Sequence, residues 1–191
     1  MLLTDWLKSA VSTRCPVPRK TPKFGPSVAV VEVLEDRCLL ANFMVTNLND
    51  SGSGSLRQAI ADANGNSNPS TVDTIRSNPA LLNTSRTIGL TSGELQITQS
   101  VSIVGPSLDP GGIIINGNDN SRVFRVFATA QTALLQFMTL TRGDAGGGDG
   151  GGLLNQGPNT TVSDVIVSSN VATFGGGLAN NIGQLQVFRS R

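Results

Sequence analysis

Asp119, Asp144, Asp149 and Asp164 are the side chains of the C-terminal half best placed to do chemistry. The 191-residue chain contains no His. Imidazole acid–base catalysis, Ser-His-Asp triads and His-ligated metals are therefore excluded. Carboxylate chemistry needs either two acids flanking a scissile bond or several oxygens around a cation. No two of the four acids stand at such a spacing along the chain, although a coiled fold can bring distant residues together. Asp144 with Arg142, and Asp119 with Arg122, are the acid–base combinations nearest in sequence. The competing reading of each is a solvated salt bridge at a turn, worth ~0–1 kcal/mol.

The glycine run Gly146–Gly152 invites two further readings. As a phosphate loop it lacks the closing Gly-Lys-Ser/Thr. As a calcium nonapeptide, Gly147, Gly148 and Gly150 fit, but Gly152 occupies the place of the ligand Asp. A loop bulging from one coil of a repeat is the reading that remains. Cys15 and Cys38 show no metal spacing; a disulfide and two free thiols both stay open. No catalytic residue, metal ligand or cofactor is expected.

The elements that position these residues repeat. Residues 135–145 align with 162–172 at an offset of 162 − 135 = 27, placing apolar on apolar at Leu135/Val162, Met138/Val165 and Leu140/Val167. Each copy ends in glycines and an Asn, at Gly151–Asn155 and Gly176–Asn180. A period in the twenties with short β-branched runs and glycine turns marks a stacked solenoid. Short runs at 88–90, 95–97, 101–104, 113–115 and 123–127 continue the pattern upstream. An isolated coil of this length would lose roughly 25–50 kcal/mol of backbone entropy, so only stacking makes it viable. Asn155, Asn170 and Asn180 recur at turns, where their side chains are expected to bond neighbouring coils.

Upstream, residues 43–48 alternate apolar and polar, as a strand with one buried face does. A turn over 49–54 leads into Ser55-Leu56-Arg57-Gln58, a capping box in which Ser55 caps the helix and Gln58 reaches back to the Ser55 amide. Leu56, Ala59, Ile60 and Ala63 form one helical stripe, and Asn64-Gly65 ends it. Residues 65–86 read as loop. Residues 1–41 carry six basic and four acidic groups and four prolines between 16 and 26. They are expected to be a disordered leader, separate from the domain at 42–191.

Composition agrees. Leu, Ile, Val and Phe make up 54 of the 191 residues, enough to build a core. Tyr is absent and aromatics are 4%, so that core is aliphatic. The net charge of +1 argues against a nucleic-acid binder, and no apolar run approaches the ~18 residues of a membrane span.

Leu34-Glu35-Asp36-Arg37-Cys38-Leu39-Leu40-Ala41 resembles the LEDRxLLA/S motif near the start of large exported planctomycete proteins. Val45–Asn64 is similar to the opening module of CSLREA-type bacterial β-helix proteins, with Gly54 where that form has Cys. The Gly-Gly-Leu-x-Asn units resemble the repeats of polymorphic outer-membrane proteins. These resemblances imply an all-β, right-handed parallel β-helix with a short N-terminal capping helix, in a secreted or cell-surface protein. The function expected is adhesin-like or structural, without catalysis, with polysaccharide or other cell-surface components as partners. The alternatives are a pectate-lyase-like carbohydrate enzyme and a functionless fragment. Residues 185–191 begin a coil without a closing element, so the front piece of a longer β-helix with an open apolar end is expected.

Overall fold

The computed structural model describes residues 40–66, 71–83, 86–106 and 112–191, all within one compact unit, Arg37–Arg191. The expectations for residues 1–39, including the state of Cys15 and Cys38, lie outside the described residues. The apolar runs form short strands because glycine, Asn or a corner residue follows each. In chain order these are β1 (Asn42–Val45), helix α1 (Leu56–Gly65), β2 (Asp73–Ser77), a 3-10 turn (Pro79–Asn83), β3 (Thr87–Gly89), β4 (Leu95–Ile97) and β5 (Val101–Val104). β6 (Ile113–Asn116), β7 (Phe124–Val126), β8 (Ala133–Thr141), β9 (Leu153–Asn155), β10 (Asn159–Ser168), β11 (Leu178–Asn180) and β12 (Gln184–Phe188) follow.

Every ladder between these strands is parallel. One sheet runs β1-β2-β5-β8-β10-β12, with β6 beside the second half of β8 and β3 beside β6, and the other runs β11-β9-β7-β4. The fold is a parallel β-helix. β8 turns a corner within itself: Ala133–Gln136 pairs with β5, and Met138–Thr141 pairs with β6. Each coil thus has three faces, the third built from β4, β7, β9 and β11.

The aligned copies are neighbouring coils. Val162 stands on Leu135, Val165 on Met138 and Val167 on Leu140, as the 27-residue offset requires. Inward residues stack into columns: Phe43, Ile75, Ile103, Leu135, Val162 and Val187 form one. The four middle members are at most 1% exposed, and each such aliphatic stabilises the stack by about 1.5–3 kcal/mol.

The corner has its own column. Phe137 and Asp164 lie between paired segments of their strands and take φ of 53° and 56°; Arg189, just past β12, takes 44°. A left-handed residue reverses the inside–outside alternation, which explains why the apolar positions 135, 138 and 140 slip by one residue. In the preceding coil Gly105 and Gly112, just past β5 and just before β6, stand against this corner. A Cβ at either would lie 1.9 Å from the Phe137 carbonyl oxygen.

The region 65–86 differs from the loop expected. Ile75 is buried at the centre of β2, which pairs with both β1 and β5. Its flanking Thr, Arg and Ser hid the alternation. The helix is as expected in its packing, since Leu56, Ala59, Ile60 and Ala63 are all buried. Its capping box is only half formed. Ser55 Oγ accepts from the Gln58 amide at 3.2 Å. The Ser55 amide, however, donates to the Gly52 carbonyl, and the Gln58 side chain donates to Asp62 Oδ1 at 2.7 Å. The tight turn before the helix satisfies the Ser55 donor first, leaving Gln58 free to take its i+4 neighbour.

Candidate functional site

The acids do not converge; Asp119 and Asp164 are each bound to an arginine of a neighbouring segment. Arg142, one coil on, donates through Nε to Asp119 Oδ2 at 3.0 Å. Arg189 donates through Nε and Nη2 to the two oxygens of Asp164, at 2.7 Å each. Arg122 does not meet Asp119, its neighbour in sequence. It pairs with Glu94 on the preceding coil and donates to the Asp149 and Gly150 carbonyls. Stacking rather than sequence proximity selects the partner, because side chains one coil apart are nearer than those three residues along a turn. Asp144 likewise turns from Arg142, its Oδ1 accepting from the Gly146 amide at 2.7 Å.

These contacts set the charge states. The Arg142 guanidinium holds the Asp119 carboxyl below its usual value. Hydrogen bonds from Arg189 and Ser163 bring Asp164 down to about 2. Carboxylates held ionised in this way accept hydrogen bonds but do not exchange protons near neutrality. Among the described residues, no three His, Cys, Asp or Glu side chains gather as a metal site.

The glycine run is tied down. The backbones at Asp144 and Asp149 form parallel bridges to Val171 and Phe174 of the next coil. Amides of Ala145 and Gly150 donate to the carbonyls of Val171 and Phe174. It is a loop stacked on its successor, with Arg122 bracing it from the preceding coil.

The Asn residues divide into two roles. Asn155 faces inward and is fully buried, with Asn180 on it in register. Its Nδ2 donates to Asn180 Oδ1 at 2.7 Å, and its Oδ1 accepts from Thr160 Oγ1 at 2.6 Å and from the Gly157 amide at 3.0 Å. Asn170 belongs to another corner, where it accepts from the Gly143 amide and donates to the Leu140 carbonyl. All three side chains bond a neighbouring coil or its turn, but only Asn155 and Asn180 stack.

Sequence reasoning missed the polar dressing of the first coil. Asn64 Nδ2 donates to the Gln96 carbonyl while its Oδ1 accepts from the Thr98 amide at 2.9 Å. Arg57 donates to the Gly93 and Glu94 carbonyls. These side chains take up the backbone groups along the outer edge of β4. A groove of about 480 Å³ runs between α1 and β4, lined by Arg57, Ile60, Asn64, Glu94 and Gln96 among others. Its polar walls are already bonded to one another, as they serve the cap.

Fold and site together define a class, the helix-capped parallel β-helix with cross-coil Asn and Arg–carboxylate ladders. Comparisons with protein-family models, curated proteins and solved structures return no match. No described helix is long and apolar enough to cross a membrane.

Proposed function

We propose that the chain is an exported, cell-surface scaffold, adhesin-like or structural in role and without catalysis. The observation that carries this reading is the arginine bound to each of Asp50, Glu94, Asp119 and Asp164. Hydrolysis by paired carboxylates needs one acid protonated and one free beside a shared substrate. Here the polar groups are spent on holding coil to coil. The resemblance of Leu34–Ala41 to a leader motif supports export, and a stack of low net charge (+1 for the chain) with polar corners suits polysaccharide or other envelope components as partners.

Two measurements test this. Intact cells of the source organism treated with external protease should lose the protein; full protection in the cytosol overturns the surface assignment. The purified chain should not depolymerise pectin or polygalacturonate. Turnover that disappears in Asp119→Asn or Asp164→Asn overturns the non-catalytic assignment.

A further inference from the structure

We propose that Asn64 is a self-modifying site, where spontaneous deamidation at Asn64-Gly65 unlatches the covering helix from the stack. The sequence holds two Asn-Gly pairs, Asn64-Gly65 and Asn116-Gly117. In such a pair the glycine amide nitrogen attacks the Asn Cγ, because no side chain on the glycine hinders the approach. A C–N bond closes a succinimide ring, the Cγ–Nδ2 bond breaks and ammonia leaves. Water then opens the ring at either carbonyl, giving Asp or an isoaspartyl link that runs through the side chain. Water is the only co-reactant, and loss of ammonia makes the change one-way.

The fold separates the two pairs. Asn116 ends β6, between Gly89 of β3 and Thr141 of β8. The Gly117 amide donates to the Thr141 carbonyl at 2.9 Å. A Cβ on Gly117 would lie 2.6 Å from the carbonyl oxygens of both Arg142 and Ser121. That nitrogen is released only when neighbouring coils part. Gly65, by contrast, is the last residue of α1, exposed, with nothing within 4 Å of where a Cβ would stand. A helix end opens at far lower cost than a strand paired on both sides. Asn64 is therefore the pair that reacts.

Asn64 is also a residue the cap depends on. Its Nδ2 donates to the Gln96 carbonyl at 2.8 Å, and its Oδ1 accepts from the Thr98 and Gln99 amides at 2.9 and 3.3 Å. While closed, these bonds hold the amide away from attack, so the site reacts when the end of α1 opens. Deamidation replaces the donor with a carboxylate oxygen, which has no proton to offer the Gln96 carbonyl. The isoaspartyl product also inserts a methylene into the backbone and displaces the side chain. The hold of α1 on the β4 edge then falls to Arg57 and the buried apolar stripe.

Ageing the full chain at mildly alkaline pH, with tryptic peptides read by mass and fragmentation, tests the proposal. Residues 58–76 and 87–122 fall in separate peptides, bounded by Arg57, Arg76, Arg86 and Arg122. In the native protein, Asn64 should convert at least about fivefold faster than Asn116, and in urea the two rates should converge. Gly65→Ala, for which there is room, should stop the reaction at Asn64 while keeping or raising the melting temperature. Asn64→Asp should lower the melting temperature by about 2–4 °C and speed amide exchange across 56–65. Equal native rates, faster reaction at Asn116, or an Asn64→Asp chain as stable as the parent overturns the proposal. So does a native Asn64 that stays intact over the time in which the urea-unfolded chain reacts fully. None of these outcomes touches the surface or non-catalytic assignments.

Discussion

Arg57 donates through both Nε and Nη2 to a single oxygen of Asp50, at 3.1 and 2.7 Å. The other Asp50 oxygen accepts from the Thr91 and Ser92 amides and the Thr91 hydroxyl. One carboxylate thus joins the helix that covers the stack to the loop between β3 and β4.

That junction makes stability depend on pH. Burial raises the Asp50 pKa, but the hydrogen bonds from Arg57, Ser92 and Thr91 outweigh it and hold the carboxyl well below the usual range. Asp164 is also lowered, to about 2. A carboxylate with a depressed folded pKa stabilises the fold above its unfolded value, near about 4, and loses that contribution as pH falls towards the folded value. Urea midpoints should therefore be level from neutrality to about pH 5 and fall below it. Asp50→Asn should start lower and show a shallower acid limb; an unchanged limb refutes the assignment.

Asn155→Ala should be among the most damaging polar substitutions. It strands the buried Thr160 hydroxyl and Gly157 amide, a loss of about 2–4 kcal/mol by chemical denaturation. Asn180→Ala, on the exposed partner, should cost about 1 kcal/mol or less.

Gly112→Ala should destabilise by more than about 2 kcal/mol, because its Cβ meets the Phe137 carbonyl and its φ is positive. Gly147→Ala has open space around it and should stay within about 0.5 kcal/mol. Similar melting temperatures for the two would show that the corner backbone yields.

Removing residues 1–39 should leave the melting temperature unchanged, the outcome expected from a sequence whose four prolines and run of cations suit no buried strand or helix face. Extending the deletion through Ala41 should lower it by about 2–4 °C. The Ala41 amide donates to the buried Asp73 carboxylate, and its carbonyl accepts from the Thr74 amide. Ala41 belongs with the folded coil, one residue upstream of the boundary expected at 42.

The sequence by itself determined the coils. Stacking copies at offset 27 puts Leu135 under Val162 because parallel coils repeat their inward positions at the period of the chain. The helical stripe Leu56–Ala63 was equally legible, since local periodicity encodes one buried face. The corner was written there too, in the three-residue step from Leu135 to Met138, but only the left-handed Phe137 and Asp164 reveal its cause. β2 stayed hidden because a single buried Ile75 between polar neighbours has no period. What the tertiary structure alone decided is which polar groups meet. Asp119 finds Arg142 at a separation of 23, and Glu94 finds Arg122 at 28. Coil lengths vary with each loop, so a charged partner is set by the three-dimensional register and by no fixed spacing along the chain.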